Sequence, residues 1–395
     1  MSAPGRVLIV GTGLIGTSAA LALRANGADV FLSDFDPAAA RLAADLGAGV
    51  VVPDLRDAKG IADVAVLAVP PAYVGQQLLS AQDYAVADVY TDVASVKGLP
   101  VAQARALGCD LECYVPAHPL AGRERHGPAA AQADLFLGRT WALCPLPETS
   151  PDAVAAVTAL AVACGAVPVT TDPETHDRWV ALVSHAPHLV AAAMAARLAP
   201  SAVPADALNL AGQGLRDVTR VAAGDTALWT QILAANARPV ADVVAAVAED
   251  LAAAARSLAR AGSAQAGSLG AGSVGADGVA GLLDQGRAGV ARIPGKHGGR
   301  PRNFTVVQVV IADRPGELAR LFNAAGDAGV NIEDIRLEHS PGLPVGVAEL
   351  SIRPDQAGTL LDAMEAGGWP VRRLRSACPL VTVGPSAGYP TGPSG

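Results

Sequence analysis

The stretch VLIVGTGLIG at residues 7–16 decides the fold of the amino-terminal part of the chain. Four apolar residues that fit a buried strand run into the pattern GxGxxG, and an Ala- and Leu-rich stretch that fits a helix follows. In such a strand–turn–helix unit the first glycine allows the tight turn, the second lets the backbone approach a pyrophosphate, and the third permits close packing of helix on strand. We therefore predict a dinucleotide site at the amino terminus of this helix, formed by Gly11, Gly13, Leu14, Ile15 and Gly16.

An acidic residue after the second strand bears on the choice of dinucleotide. Asp34 follows the apolar residues 30–33, about 20 residues beyond the glycines, where a carboxylate accepts the hydroxyls of the adenosine ribose and repels a 2′-phosphate. This spacing favours NAD over NADP as the cofactor. We also assign Val69, which ends the apolar run 64–69, and Pro70 after it to the cofactor site. The glycine pattern alone would also fit a structural turn.

The charge and the cysteine content restrict the class of protein. The chain carries 29 Lys and Arg against 37 Asp and Glu, and its net charge of −8 argues against a nucleic-acid partner. Its five cysteines form no CxxC or zinc-type pattern, which predicts a reduced, cytoplasmic protein with no structural metal. The amino terminus has no signal-peptide pattern. The apolar stretch 179–196 contains Ser184, His185 and His188, so we interpret it as a buried helix and expect no membrane partner.

The pattern along the 395 residues predicts three domains. In residues 1–171, apolar runs alternate with Ala-rich helical stretches, which predicts an α/β Rossmann domain with a parallel sheet. Residues 172–261 are predicted to form an all-helical domain. Residues 262–303, which begin Gly-, Ser- and Ala-rich, are interpreted as a linker with one short helix at 282–290. Residues 304–383 fit the order βαββαβ of a ferredoxin-like module.

Four segments resemble, in their order along the chain, motifs of the prephenate dehydrogenase family. They are TDVASVKG at 91–98, HPLAGRE at 118–124, HD at 176–177 with SHAPH at 184–188, and GLRDVTR at 214–220. Two more segments, DRPGEL at 313–318 and GVNIEDI at 329–335, resemble an ACT domain, a small-molecule-sensing module of many amino-acid biosynthetic enzymes. The resemblance implies an NAD-dependent enzyme with a Rossmann domain, a helical substrate and dimerisation domain, and an ACT regulatory domain.

The resemblance also implies the reaction, which is the oxidative decarboxylation of prephenate to 4-hydroxyphenylpyruvate in tyrosine biosynthesis. Hydride leaves C4 of prephenate while a base removes the proton of the C4 hydroxyl, and His118 matches the family's base. We expect His118 on a loop after a strand, at the carboxyl edge of the sheet. Ser95, after the strand 89–92, is assigned to orient His118 and the substrate hydroxyl, although a helix-cap or turn serine fits its spacing almost as well. Lys97 is assigned no catalytic role.

The substrate is a dianion, so its site requires cations held in place. By the resemblance Arg220 binds a substrate carboxylate, and Asp217, three residues earlier, is expected on about the same helix face. The resemblance also locates Asp217 near the active site of the partner subunit. Arg216 is interpreted as the surface arginine. Glu124 matches a family acid near the substrate arginine, and a solvated loop acid is its alternative.

Further substrate contacts are predicted on the helices. Ser184 and His188 are four residues apart and share a helix face, so both are assigned to the substrate, whereas His185 is expected to be packed. Pro187 removes a helix hydrogen bond and predicts a kink. In the family, a tryptophan matching Trp229 lies near the partner subunit's active site, and a core aromatic residue is the alternative interpretation.

Other functions are compatible with parts of this pattern. Arogenate, which carries an ammonium group where prephenate has a ketone, stays open as the substrate. β-Hydroxyacid dehydrogenases share the plan of a Rossmann and a helical domain, but they normally use a lysine of the second domain, and residues 173–261 contain none. A non-catalytic amino-acid or redox sensor is a further alternative, which the set of Ser95, His118 and Arg220 disfavours.

The helical region and the last module predict assembly and regulation. Residues 173–261 combine a high Ala content with few charges, so we predict an extensive homodimer there. In the ACT-like module, Asp313, Gly316 and Asn331 are assigned to an amino-acid pocket between paired modules, and tyrosine is the expected effector. A purely structural ACT pair is the alternative.

Overall fold

The computed structural model of the chain describes residues 4–121, 127–199, 204–263, 276–293, 304–339 and 344–374. The chain forms two compact units, which divide between Ala252 and Ala253. Each unit has its own hydrophobic core of buried aliphatic side chains. The two units are therefore described one after the other.

The first unit is built on a six-stranded parallel sheet with the strand order β3-β2-β1-β4-β5-β6. Its strands are β1 (Arg6–Val10), β2 (Asp29–Ser33), β3 (Val50–Val51), β4 (Ala62–Leu67), β5 (Ala87–Asp92) and β6 (Tyr114–Val115). Its helices are α1 (Leu14–Ala25), α2 (Pro37–Asp45), α3 (Val74–Asp83), α4 (Gly98–Ala106) and α5 (Pro151–Ala163). The central strands β1 and β4 are buried on both faces, as their apolar runs predicted. This strand order is that of a Rossmann domain, and the predicted fold of the region is confirmed.

A smaller sheet in the same unit holds His118. Its strands, in their order in the sheet, are β7 (Ala117–Pro119), β8 (Thr140–Leu143) and β9 (Val167–Thr170). β7 pairs antiparallel with β8, and His118 stands opposite Ala142. His118 therefore lies in a short strand and not in the predicted loop, because β8 supplies hydrogen-bond partners for its backbone.

The described residues from 173 to 263 are mostly helical, as predicted. Their helices are α6 (Pro173–Val180), α7 (Ala186–Ala196), α8 (Gln213–Thr219), α9 (Thr226–Ala235) and α10 (Ala237–Ser263). A π-helical segment, Ala181–His185, joins α6 to α7, and Pro187 lies in the first turn of α7. Because proline has no backbone donor, the irregularity that Pro187 predicted takes the form of this π segment.

Short 3-10 turns occur in both parts of the first unit, at Leu55–Asp57, Pro71–Tyr73, Pro128–Ala130, Ala205–Leu210 and Arg220–Ala223.

The apolar stretch that we expected to be a buried helix is exposed along one side. Pro173–Ala196 is long and apolar enough to cross a membrane, and 33% of its most apolar window is buried within the chain. The side chains of Trp179, Leu182 and Val183 are 55%, 59% and 68% exposed. The prediction of a buried helix is therefore wrong for a single copy of the chain, because its described residues leave these three side chains uncovered.

The second unit contains an antiparallel sheet with the strand order β11-β12-β10-β13. Its elements are α11 (Ala276–Val290), β10 (Thr305–Ala312), α12 (Glu317–Asp327), β11 (Ile332–His339), β12 (Val345–Ile352), a 3-10 turn (Pro354–Gln356), α13 (Ala357–Ala366) and β13 (Val371–Leu374). From β10 to β13 they follow the predicted order βαββαβ. The predicted linker is more helical than expected, since α10 ends at Ser263 and α11 begins at Ala276. Alanine, the strongest helix former, recurs in both helices. The linker residues 264–275 and 294–303, and the end of the predicted module at 375–383, lie outside the described residues.

Candidate active site

Two glycines of the GxGxxG motif stand where a side chain does not fit. A Cβ on Gly11, whose φ is +99°, would lie 2.4 Å from the carbonyl oxygen of Ala68. A Cβ on Gly16 would lie 1.9 Å from the carbonyl oxygen of Gly11. Both distances are far below van der Waals contact, so the tight turn and the close packing of α1 on the sheet require glycine.

The amino terminus of α1 fits the pyrophosphate of a dinucleotide. At Gly13, the residue before the helix, an added Cβ would have no atom of the described residues within 4 Å. No side chain in the described part of the chain caps this helix end. The backbone N–H groups of the first turn, which includes Leu14 and Ile15, and the positive end of the helix dipole are thus available to an anion.

The remaining predicted cofactor residues lie at the same edge of the sheet. Asp34 follows β2, and its Oδ2 accepts the backbone N–H of Thr12 and, at 2.8 Å, the Thr12 hydroxyl. These bonds hold the carboxylate beside the glycine turn, where the adenosine ribose lies in this fold. Val69 is half-buried and Pro70 is exposed, and both follow β4, which neighbours β1. The carboxyl edge of β1, β2 and β4 therefore brings the predicted cofactor residues together.

His118 is joined to two further side chains. Its Nδ1 lies 3.0 Å from Nε2 of His176, and the two rings meet edge to face with 5.2 Å between their centroids. Nδ1 of His176 in turn lies 2.8 Å from Oδ1 of Asp177. We call His118, His176 and Asp177 the His–His–Asp row. The sequence placed HD in a family motif, but nothing in the spacing connects His118 with a residue 58 positions away.

The surroundings of His118 keep its ring uncharged. Burial lowers the pKa of His118 well below its ordinary value of 6.5, and positive charge on His176, Lys97 or His185 lowers it further. The imidazole is therefore neutral at pH 7, which is the form that a general base requires. Among the residues that the structure describes, only Nδ1 of this ring takes part in a hydrogen bond.

A buried ion pair adjoins His118, and the sequence analysis missed it. Lys97 and Asp92 are both fully buried, and Nζ of Lys97 donates to Oδ1 of Asp92 and, at 2.5 Å, to the carbonyl oxygen of Ala117. The hydroxyl of Tyr114 donates to Oδ2 of Asp92 at 2.7 Å. Since a buried charge is tolerated only when it is paired and hydrogen-bonded, this network fixes β7 relative to β5 and β6. Its one sequence signal was the lysine of the VASVKG motif.

Ser95 makes no hydrogen bond to His118 in this structure. Its side chain is half-buried and makes no hydrogen bond to another described residue. Its predicted role in orienting His118 stays a prediction. A role of Ser95 toward the substrate hydroxyl stays a prediction.

The predicted helix residues form an aromatic stack. The ring of His188 lies nearly parallel to that of Trp229, with 3.6 Å between centroids and 14° between planes. A Cβ on Gly224 would lie 2.6 Å from Nε1 of Trp229, so glycine is needed beside the stack. His185 is buried, as expected for a packed histidine, and its Nδ1 lies 3.1 Å from Nδ2 of Asn236. Ser184 is half-buried.

Arg220 begins the 3-10 turn that packs against α7 and is itself exposed. α8 ends at Thr219, and Arg220, which caps it, keeps right-handed helical backbone angles (φ −52°, ψ −45°), so nothing in this backbone contradicts the expectation that Asp217 lies on about the same face. Asp217 accepts a hydrogen bond from Gln213 at 2.9 Å. Glu124 lies outside the described residues. In the described part of the chain, no group of three His, Cys, Asp or Glu side chains is placed to hold a metal ion.

The residues predicted to bind an effector lie in the second unit. Gly316 precedes α12 with a φ of +86° and has open space at its Cβ position. Asp313 and Asn331 are both exposed. An open groove of about 490 Å³ runs beside Gly316 and is lined by residues that include Arg320 and Trp369.

Two family models match the first part of the chain. The model described as prephenate dehydrogenase, nucleotide-binding domain, matches residues 19–170, and that described as prephenate dehydrogenase, dimerization domain, matches residues 172–266. A relative named probable prephenate dehydrogenase NovF, from Streptomyces niveus, is 38% identical over 92% of this chain and 98% of its own length. The cyclohexadienyl dehydrogenase of Zymomonas mobilis is 34% identical over 58% of this chain and 80% of its own.

Solved structures with the same fold include two dehydrogenases. A structure of prephenate dehydrogenase from A. aeolicus in complex with hydroxyphenyl propionate and NAD+ has a TM-score of 0.62 and 26% identity, and the match covers 73% of this chain and 98% of that one. The Synechocystis arogenate dehydrogenase has a TM-score of 0.59 and 25% identity, over 72% of this chain and 98% of that one.

Proposed function

The chain belongs to the prephenate dehydrogenase family, and on that premise we propose that it is an NAD-dependent, cytoplasmic enzyme that converts prephenate to 4-hydroxyphenylpyruvate and carbon dioxide. One observation carries the proposal. A neutral histidine, His118, stands after the last strand of a dinucleotide-binding sheet, with Nδ1 engaged and with no described residue bonded to Nε2. A group of this kind is what the removal of a hydroxyl proton next to a nicotinamide requires.

In this proposal His118 transfers the proton, and the other side chains bind the cofactor and the substrate. Nε2 of His118 takes the proton of the C4 hydroxyl, so that the O–H bond breaks as a carbonyl forms at C4. NAD, which the amino terminus of α1 and Asp34 would hold, supplies the acceptor for the C4 hydride when it is bound. Ser95 donates to the substrate hydroxyl oxygen, and Arg220 gives a carboxylate two parallel hydrogen bonds. Loss of the ring carboxylate as carbon dioxide then makes the ring aromatic, and the C4 oxygen, left as a phenolate, takes back a proton from His118 to give the phenol of the product.

The remaining predicted residues shape the substrate site. The stack of His188 on Trp229 offers a flat, partly polar wall, and Ser184 lies one helical turn before His188. Glu124 and Asp217 are proposed to set the position of the arginine that binds substrate, with Asp217 and Trp229 reaching the partner subunit's site.

Prephenate is proposed over arogenate because the relative NovF, which covers most of this chain, is named for prephenate. Arogenate is the second candidate, since a Synechocystis arogenate dehydrogenase shares the fold. Initial rates of NADH formation with each substrate, and with NADP in place of NAD, distinguish them. The proposal requires a higher kcat/KM for prephenate with NAD than for any other pair. A higher value for arogenate would transfer the proposal to the second candidate, and no turnover of either would refute it.

A homodimer is proposed through the exposed apolar side of α6 and α7. Trp179, Leu182 and Val183 form part of that side, and an exposed apolar surface of this kind marks an interaction site. The match to a family model named for dimerization supports a second copy of the chain as the partner. Sedimentation equilibrium should give twice the chain mass, and Leu182→Asp should shift the protein toward monomer, whereas a wild-type monomer would refute the assembly.

Tyrosine is proposed as an effector that binds the second unit. The βαββαβ order of that unit supports its interpretation as an ACT module. Asp313, Gly316 and Asn331 are the residues proposed to contact it. A chain cut after Ser263 should keep dehydrogenase activity and lose only the part of tyrosine inhibition that is allosteric. Inhibition that is unchanged by the cut would instead be competition at the active site and would favour a purely structural role for the module.

A further inference from the structure

The His–His–Asp row is linked by hydrogen bonds that the HD motif alone does not indicate. Three side chains from two elements form an unbranched series of hydrogen bonds, from His118 on β7 to His176 and Asp177 at α6. The two that lie behind His118 are buried, at 2% and 7% exposure. Two adjacent buried polar side chains that are hydrogen-bonded in series behind His118 require an explanation.

The ionised carboxylate at the end of the row decides where the protons lie. A carboxylate only accepts hydrogen bonds, so Nδ1 of His176, 2.8 Å from Oδ1 of Asp177, carries a proton. Nε2 of a neutral His176 is then an acceptor. Nδ1 of His118, 3.0 Å away, must therefore be the donor in the next bond. It follows that Nε2 of a neutral His118 carries the lone pair.

The carboxylate of Asp177 is held in one orientation. Its Oδ1 accepts the backbone N–H of Lys97, and its Oδ2 accepts that of Gly98, each at 2.8 Å. Nδ2 of Asn236 donates to the backbone oxygen of Asp177 at 2.8 Å. Donors on both oxygens fix the orientation of the carboxylate and leave Oδ1 facing His176. The same bonds join α6 to the loop after β5 that carries Ser95.

On the basis of the proposed function, we propose that His176 and Asp177 are positioning residues that hold His118 in the tautomer with Nδ1 protonated and Nε2 free to accept the substrate's hydroxyl proton. The opposite tautomer would carry a proton on Nε2 and could not accept another. In the step itself, the proton moves from the hydroxyl oxygen to Nε2, and the resulting imidazolium keeps its Nδ1–H bond to neutral His176. The negative charge of Asp177 stabilises that cation from the far end of the row.

The charges around the row make this support necessary. His118 faces Lys97, whose positive charge opposes a second cation, while Asp92 is already paired with Lys97. Burial lowers the pKa of His185 to about 4, so that ring adds no charge at pH 7. Among the described residues of the row, Asp177 is the acid that can offset a proton on His118. A base in this setting needs a fixed tautomer and a nearby anion, and the row supplies both.

Two substitutions of His176 separate positioning from packing. Glutamine can place its amide oxygen close to where Nε2 of histidine lies, so His176→Gln can still accept from His118, whereas asparagine is too short and His176→Asn cannot. We expect His176→Asn to lower kcat at pH 7 by about 10- to 100-fold, part of the worth of a positioned base. His176→Gln should lose less. KM for the substrate and the Kd for NAD should stay within about twofold of wild type, since neither residue touches them.

The matched control is Glu174→Gln, on the exposed side of α6, where Glu174 pairs with Arg178. It should leave kcat unchanged. If His176→Asn retains more than about half of the wild-type kcat, on the scale of a base's contribution, the inference is refuted. An equal loss of kcat in His176→Asn and His176→Gln would refute it as well, because packing alone would then explain the effect.

A second measurement needs neither a variant nor turnover. The ¹⁵N chemical shifts of the imidazole nitrogens of His118 in the full-length wild-type protein report which nitrogen carries the proton. We expect a protonated Nδ1 and a free Nε2 at pH 7. A proton on Nε2 would overturn the inference even if the enzyme is active, whereas an inactive protein with the expected tautomer would overturn only the proposed function.

Discussion

Two polar clusters, one in each unit, use their hydrogen bonds differently. The His–His–Asp row of the first unit ends at Nε2 of His118, to which no described residue bonds. In the second unit, Glu317 is 5% exposed, and its carboxylate oxygens accept from three donors. These donors are Nε of Arg314 at 2.9 Å, Nη2 of Arg320 at 2.5 Å and Nε1 of Trp369 at 2.8 Å. We call these four residues the Glu317 cluster.

Both clusters lower a pKa, but for opposite reasons. Burial lowers the pKa of His118 because the charged form loses its solvent. Hydrogen bonds, first from Arg320 and then from Arg314 and Trp369, lower the pKa of Glu317 to about 2 because they stabilise the charged form. A cluster with every acceptor filled stabilises its unit. A cluster that leaves a nitrogen open can exchange a proton with a ligand. The His–His–Asp row should therefore matter for turnover, and the Glu317 cluster for stability.

The strongest test of this contrast is His118→Asn. The variant removes the open nitrogen and should lower turnover by about two to four orders of magnitude, which is the usual worth of a positioned base. The Kd for NAD should be unchanged, since the cofactor residues lie at the ends of other strands. Steady-state kinetics and a binding titration measure the two quantities. Turnover above about a tenth of wild type at saturating substrate would remove His118 from the role of base.

Arg220→Ala tests whether binding is separate from the proton-transfer row. The substrate carboxylate is charged in both the ground and the transition state, so KM should rise by about 10- to 100-fold, from one or two lost charged hydrogen bonds, and kcat should change far less. Arg216→Ala, on the same segment, is the control and should leave KM near wild type. If the KM of Arg220→Ala is unchanged, another residue binds the substrate carboxylate.

Asp34→Ser tests the cofactor edge of the same unit. Loss of the carboxylate removes the repulsion of a 2′-phosphate, and kcat/KM for NADP relative to NAD should rise by about tenfold, equivalent to one charged hydrogen bond. The ratio of initial rates with the two cofactors measures this effect. A wild-type preference for NADP, or an unchanged ratio in the variant, would contradict the assignment.

Glu317→Gln should have the smallest effect on turnover. The variant keeps the shape of the side chain but opposes the two arginines with an amide, so the second unit should unfold at a temperature lower by roughly a few degrees at pH 7. The pKa of Glu317 lies at about 2, below its ordinary 4.5, so its stabilising effect is complete above pH 4.5 and is lost as the pH falls toward 2. The difference in melting temperature between variant and wild type should therefore vanish at low pH. Scanning calorimetry of the full chain measures this difference.

If Glu317→Gln lowered the dehydrogenase kcat as much as His118→Asn does, the contrast between the two clusters would be wrong. A melting difference that persists below pH 2 would show that packing, and not the ion pairs, is what Glu317→Gln disturbs.

The sequence predicted those parts of the fold whose signal is local. The buried parallel strands are continuous apolar runs, and the turn at Gly11 needs a residue type that the sequence states directly. The two-residue strand β3 and the short strands β7 and β8 carry too few residues to show a period, so His118 was expected in a loop. Pro187 gave a local signal for irregular helix and the structure has a π segment beside it.

The candidate site was harder to predict because its contacts are not local. His118 and His176 are 58 residues apart, and no spacing rule connects them. Lys97 was assigned no catalytic role from the sequence, yet its side chain is fully buried against Asp92. The exposed side of Trp179 and its neighbours was expected to be buried, since composition does not distinguish a side covered within one chain from a side that a second copy would cover.

The pH dependence of kcat/KM for prephenate with NAD tests the central claim, that a neutral, half-buried His118 is the base. Burial lowers the pKa of His118 below 6.5, and the neutral base is lost only as the pH falls through that lowered value. The account therefore predicts an acid limb with a midpoint below pH 6.5, with the enzyme recovering full activity when it is returned to pH 7. An acid limb centred at or above pH 6.5 would contradict it.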